Sequence, residues 1–463
     1  MVDRSSSIFD FAMWEPVLRL LRAAHAERLA HPGGWVAGRI GQGSWSVPVP
    51  RRMPPPGRAA LMSDNQDLHE AVGRVRSALV KDGIDGVSFA VEIEPAGRTR
   101  LHVLVPSPAV EPGIGVHPGA LVLVEGALPQ PWHRLPDPSP GAAPATSADP
   151  ALLEQTLRER LPDAVGATEA EISAAEARLG VALPDELKAL YRVTRANGED
   201  LGGDWELAGR HSQAVRCELF GLDDLFVAEA ATRHCDWQFA AMEAIDIRPD
   251  AAVQGLVGSP GWIVFGDNGG GDRLAVDLTP GPRGHTGQVI ILSHEESVGA
   301  ALVADSLTDM VLDRPGTEPS SWDARKPPSV ARVNESGLRS IEAAAHPGLE
   351  VVSVGVWDGE PFSLAPLTGL PRLRTLGAYP GTLADPLEIA KLTGLEFLEL
   401  GPQEWRALLD AHAVPRGLKA AAIEVRQDAE PLAVVAVANE LLALFDRPPI
   451  AQAVVEGDLG PAT

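Results

Sequence analysis

Two stretches of this chain cannot contribute to a packed core, and they decide how the rest must be organised. PQPWHRLPDPSPGAAPATSADP (129–150) and DRPGTEPSSWDARKPPS (313–329) are rich in Pro, Ala and Ser. Such segments have little to bury and favour semi-extended backbone. They cut the 463 residues into three blocks, in line with domains of about 150 residues each. The expected organisation is an N-terminal α+β unit (1–130), a linker (131–154), a middle domain (155–313) and a second linker (314–330). A repeat-like unit (331–446) and a loose tail (447–463) complete it.

Charge follows the same division. The net formal charge is −24, with 14 basic and 15 acidic groups in 1–150, 14 and 30 in 151–325, and 11 and 18 in 326–463. Nucleic acid is excluded as a partner, because phosphate binding needs a basic surface. Two readings of the acidic middle block stand: a solvated surface that deters self-association, or a field that steers a basic protein partner. Two cysteines exclude a disulfide scaffold and any multi-cysteine zinc module. The opening MVDRSSSIFDFAMWEP lacks the pattern of a secretory signal, and no apolar run reaches the ~18 residues of a membrane span. A soluble, cytoplasmic protein with no membrane partner is expected.

In the N-terminal unit, helical spacing runs over 11–30 (Trp14, Val17, Leu18, Leu21) and 66–81 (Leu68, Val72, Val75, Leu79). Val87, Phe89, Val91 and Ile93 alternate with polar or small residues. A turn at 95–98 follows, and Leu101, Val103 and Val105 alternate again, which predicts an antiparallel hairpin. ALVLVEG from Ala120 reads as a third strand of this unit. PGIGVHPG (112–119) misses the dinucleotide fingerprint, since Pro118 and the lack of a following helix spoil it, and reads as a loop.

The middle block is the most informative. Thr168 and Glu171 form a capping box, Ile172, Ala175 and Leu179 a buried stripe, and Gly180 a left-handed cap. Pro184 opens the next helix at its first position, Leu187, Leu190 and Tyr191 face inward, and Asn197-Gly198 ends it. Later, IVFG leads into Asp267-Asn268-Gly269-Gly270-Gly271-Asp272 and a strand through Leu274, Val276 and Leu278. QVIIL adds a strand and LVADSLTDMVLD a closing helix. Three glycines permit positive φ at successive positions, so Gly270→Val is expected to destabilise the turn.

ATEAEISAAEARLGVALPDELKALYRVTRANG (167–198), WIVFGDNGGGDRLAVDL (262–278) and ADSLTDMVL (304–312) together resemble the SUKH superfamily, the Smi/Knr-type domain named after yeast cell-wall-assembly regulators. The resemblance covers about 155–313. It implies an α+β fold, a mixed and mainly antiparallel sheet flanked by helices, and a motif loop of Gly266, Asp267, Gly269, Gly270, Gly271, Asp272 and Asp277 with a structural role. Bacterial members often neutralise toxins, many of them nucleases, and fungal relatives act as hubs in cell-wall signalling. The resemblance brings no catalytic residue, and no cofactor is expected.

The glycine loop precedes a strand rather than a helix, and the chain has no Gly-Lys pair, so it is no phosphate cradle. Asp267, Asp272 and Asp277, spaced by five, fit no calcium loop. A tight hairpin or an exposed partner contact remains. G-x-S-x-G, H-E-x-x-H and C-x-x-C are absent, His294-Glu295-Glu296 lacks a second His, and His211, Cys217, His234 and Cys235 have no ligand spacing. The candidate partner-binding group is Glu199, Asp200, Asp204, Trp205 and Glu206: an aromatic anchor ringed by steering charges, or a buried Trp beside a solvated loop.

In the C-terminal block Gly-Leu recurs at 348, 369, 394 and 417. The best pair is LTGLPRLRTL against LTGLEFLEL. These periods suit a leucine-rich-repeat-like solenoid with a strand face for protein binding; a plain α/β unit is the alternative. The whole reads as a non-enzymatic binding protein. An immunity-type role against a basic toxin or nuclease effector leads, with a regulatory scaffold, or an enzyme in the N-terminal unit, as alternatives.

Overall fold

The computed structural model describes residues 7–50, 65–113, 115–196, 204–233, 235–245, 247–248, 250–316, 328–426 and 429–461. Its class is α+β, with three sheets and helices packed on them.

Alternation of apolar and polar residues makes Gly86–Ile93 and Arg98–Val105 a hairpin, as the sequence predicts. Val36–Gly41 pairs with the first of these strands, and Trp45–Ser46 extends the sheet beyond it. The helices Phe11–Ala24 and Gln66–Asp82 cover one face, burying Trp14, Leu18, Val75 and Leu79 against Phe89 and Val103. The other edge is a surprise. Ala451–Asp458, expected in a loose tail, is an eight-residue strand paired antiparallel with Arg98–Val105, and Val455 and Leu459 enter the N-terminal core. Short alternating segments near a terminus look like tail until an unpaired strand edge is known to need them.

The C-terminal block forms a parallel sheet in sequence order: Val330–Val333, Val351–Val354, Thr375–Ala378, Phe397–Leu400 and Ala420–Ile423. The strands start 21, 24, 22 and 23 residues apart, and Leu349, Leu395 and Leu418 of the Gly-Leu pairs are buried just ahead of them. Val352, Leu376, Leu398 and Ala421 point into a core made with the return segments and the helix Pro431–Leu444. ALVLVEG is not a strand of the N-terminal sheet: only Leu121–Val122 is extended, and it pairs antiparallel with Ala420–Ile423.

The middle domain hangs on an antiparallel sheet of Trp262–Asp267, Arg273–Asp277, Gln288–Leu292 and Ala301–Ala304, with Glu218–Leu219 and Phe226–Val227 both paired to the first strand. Helices Glu169–Leu179 and Asp185–Val193 pack on one face through Ile172, Leu187, Leu190 and Tyr191. The capping box at Thr168 and Glu171 is formed, and Gly180 takes φ +70°. Pro184 stands one place earlier than expected, as the N-cap of a helix that ends at Val193; Asn197-Gly198 lies outside the described residues. Buried Glu186 accepts hydrogen bonds from the amides of Leu307 (3.2 Å) and Thr308 (3.0 Å), and so holds the start of the closing helix Leu307–Val311.

The first linker is an ordered strap. Its end is already the helix Pro150–Arg160, whose Leu153 and Leu157 sit in the middle core. Upstream, the Asp137 amide donates to Gln254 (2.8 Å), Ser139 to the Pro280 carbonyl (2.7 Å), and the Thr286 amide to the Ala143 carbonyl (3.1 Å). Proline-rich composition predicts extended backbone, and the other side of these hydrogen bonds lies more than a hundred residues away.

The three blocks are therefore nested rather than strung in a row. The middle domain lies between two parts of the parallel-sheet unit, and that unit lies between two parts of the N-terminal sheet. A chain ended at residue 450 should lose about 3–6 kcal/mol from the burial of Val455 and Leu459. Thermal unfolding should show the loss in the N-terminal unit, and an unchanged melting profile would place the strand outside that core.

Candidate functional site

The motif loop is built from its own side chains. Asp267 ends one strand, and its Oδ1 accepts from the amides of Gly269 (2.6 Å) and Gly271 (3.3 Å); its other oxygen pairs with Arg273. Asn268 Oδ1 accepts from the amides of Gly270 (2.7 Å) and Asp272 (3.2 Å). Asp272 in turn holds the His294 amide (3.0 Å) and ring Nδ1 (2.7 Å), and these bonds set its carboxyl below the usual range. Four successive amides are thus spent inside the turn, which leaves no cradle for an anion.

Positive φ occurs at Gly269 (+83°) and Gly271 (+101°) but not at Gly270. The expectation for Gly270→Val is corrected accordingly: an added Cβ there meets only the Asn268 amide at 3.3 Å or beyond. Gly266 lies where a Cβ would approach Cys217 Sγ and the Glu218 carbonyl, both at 2.9 Å, so it admits the neighbouring short strand. Asp277 does not reach the loop. It is fully buried, accepting from Trp262 Nε1 (3.0 Å), the Thr279 amide (2.7 Å) and Gln288 (2.9 Å), and burial raises its pKa.

The acidic group presents a different surface. Asp204 is the N-cap of the helix Trp205–Val215, accepting from the amides of Glu206 (2.9 Å) and Leu207 (3.1 Å). Trp205 is the first helical residue and is 88% exposed, with Glu206 exposed beside it. The reading of Trp205 as a buried residue is thereby excluded. Glu199 and Asp200 lie outside the described residues. One turn further, Leu207, Arg210 and His211 line a cleft of about 170 Å³ closed by Leu161, Val165 and Thr194. His211 Nδ1 is 3.3 Å from Thr194 Oγ1, and burial lowers its pKa. Sequence reading missed this cleft, because its walls come from segments with no shared motif.

Cys217 is buried against the middle sheet and Cys235 lies at a separate interface; burial pushes both thiols up to about 12, far from a nucleophile's range. His234 lies outside the described residues, among which no three His, Cys, Asp or Glu side chains converge as metal ligands. Among the described residues, no helix is long and apolar enough to cross a membrane.

The architecture defines an α+β domain whose antiparallel sheet carries a self-capped glycine hairpin, with an exposed aromatic residue at the start of one of its helices. Residues 166–313 match the SMI1 / KNR4 family (SUKH-1), so this part of the chain is a SUKH-1 domain. The chain is similar to a glucan synthesis regulatory protein of Neurospora crassa, with 36% identity over 89 residues, 19% of this chain and 16% of that protein. It is also similar to the cell wall biosynthesis/cell cycle regulator smi1 of Schizosaccharomyces pombe, 28% identical over 162 residues, 32% of this chain and 30% of that one. A KNR4/SMI1 homolog of Yarrowia lipolytica is 44% identical over 50 residues, 11% of this chain and 7% of its own. The aligned regions thus span less than a third of each of these relatives.

The geometry makes a paired prediction. Gly271→Val should cost about 1–3 kcal/mol, since φ of +101° is strained for any L side chain and the His294 ring stands 3.4 Å away. Gly270→Val should stay within about 0.5 kcal/mol. Parallel thermal melts test the ranking, and equal shifts would refute it.

Proposed function

We propose that the chain is a non-catalytic regulatory scaffold whose SUKH-1 domain binds a protein through the start of the helix Trp205–Val215. The observation that carries this is the exposure of Trp205 between Asp204 and Glu206. A large aromatic side chain left in water has no role in its own fold, and such residues dominate binding energy when a partner covers them. Asp204 is held as a helix cap, so the Trp backbone is fixed before binding and little ordering entropy remains to be lost. The regulatory names of the relatives support this reading.

A second reading, the immunity type, draws on the excess of 16 negative charges in 151–325. A basic toxin would associate faster in that field, and the two readings part on salt dependence.

Trp205→Ala should leave the melting temperature unchanged and weaken the partner complex by roughly 30-fold or more, the effect of removing an interface anchor worth about 2 kcal/mol. Affinity capture with the parent chain supplies the partner, and binding kinetics of parent and variant at low and high salt supply the comparison. Equal affinities would remove Trp205 from the interface. An association rate that collapses in high salt would favour the immunity reading.

A further inference from the structure

The strand face of the C-terminal sheet is covered from within the same chain. Thr375, Gly377, Phe397, Glu399, Ala420 and Ala422 alternate with the core-facing residues and point toward the short helix Trp237–Ala240 of the middle domain. Trp237 stacks on Phe397 with ring centroids 6.2 Å apart and planes 14° apart, and is 2% exposed. The Ala241 carbonyl accepts from Thr375 Oγ1 (2.8 Å) and from Arg374 (3.3 Å), which also reaches the Glu243 carbonyl. Gly377 makes room for Met242, whose methyl would stand 2.8 Å from an added Cβ.

Two carboxyls close the contact. Glu111 accepts from the Trp237 amide (2.9 Å) and Glu399 from the Gln238 side chain (2.9 Å). Both are largely buried at a seam built around the Trp237–Phe397 stack. We propose that this contact is a proton-dependent latch: residues 235–243 stay docked on the strand face while Glu111 and Glu399 are protonated, and release it when they ionise.

The groups around the seam favour this direction. Burial of both carboxyls, with the like charges of Asp236 beside Glu111 and Glu424 beside Glu399, outweighs the hydrogen bonds from Trp237 and Gln238, which favour the ionised forms; Cys235 of the docked segment is a neutral thiol. Arg374 is engaged by Glu350 (3.3 Å) and the two carbonyls, and Lys419 by Glu396 (2.7 Å). Arg39 and His117 line a small cleft beside Glu111, and burial keeps the His117 ring toward its neutral form. Desolvation pushes Glu111 and Glu399 up to about 7. The docked state therefore binds more protons than an opened one, in which both carboxyls return toward the ordinary value of 4.5. Docking is strongest at or below that value and weakens as pH rises through 7, by up to about tenfold per pH unit for each carboxyl.

Hydrogen exchange of the full chain at pH 5.5 and 7.5, corrected for intrinsic rates, tests the latch. Protection of the amides at 237–243 should fall at least tenfold at the higher pH, while that at 262–277 stays constant. Glu111→Gln with Glu399→Gln should hold the segment docked at both pH values. Trp237→Ala should open it at both, with 262–277 still protected. Equal protection at the two pH values in the parent, or an undiminished fall in the double Gln variant, would overturn the proposal.

Discussion

The eight-residue pairing of Ala451–Asp458 with Arg98–Val105 constrains everything between them. Once that ladder forms, the parallel-sheet unit is a closed excursion from the N-terminal sheet, and the SUKH-1 domain is an excursion from that unit in turn. Closure limits how far each block can drift, so modest contacts suffice to dock one on another. The stacking of Trp237 on Phe397 and the hydrogen bonds of Arg374 operate inside that limit.

Within the SUKH-1 domain, polar groups define shape as much as the apolar core does. Glu186 fixes the closing helix, Asp277 ties Trp262 to Gln288, and Asp267 with Asn268 absorbs the amides of the glycine turn. Each is a short-range solution to the cost of an unmet backbone or side-chain donor. The consequence for function is that the conspicuous motif is spent on folding. The Trp205 helix start, which no turn motif advertises, stays exposed among the described residues.

What the residues disclose follows from the range of the interaction. Thr168 with Glu171, the 3.6-residue stripe at Leu187 and Leu190, and the alternation at Val87–Ile93 are local signals, and the capped helices and the hairpin follow them. Trp205 was visible as an aromatic among carboxylates, but its exposure depends on how its helix sits. Placement across the chain was not legible. Leu121–Val122 reads as a strand in either sheet, and only its partner Ala420–Ile423 decides. The strap at 131–149 hides hydrogen bonds to residues far downstream. Gly270 carries the same label as its neighbours, and only the backbone angles separate them.

Nesting also orders events during synthesis. The SUKH-1 domain has all its sheet partners once Ala301–Ala304 leaves the ribosome, and the parallel sheet is complete with Ala420–Ile423. The N-terminal sheet, made first, is completed last. At about 5–20 residues per second, the edge of Arg98–Val105 waits tens of seconds for its partner strand. During that interval an unpaired strand beside a half-filled core is open to adhesion by other nascent chains. The hazard during synthesis thus lies at the exposed edge of Arg98–Val105, and it ends only when Ala451–Asp458 pairs with that edge.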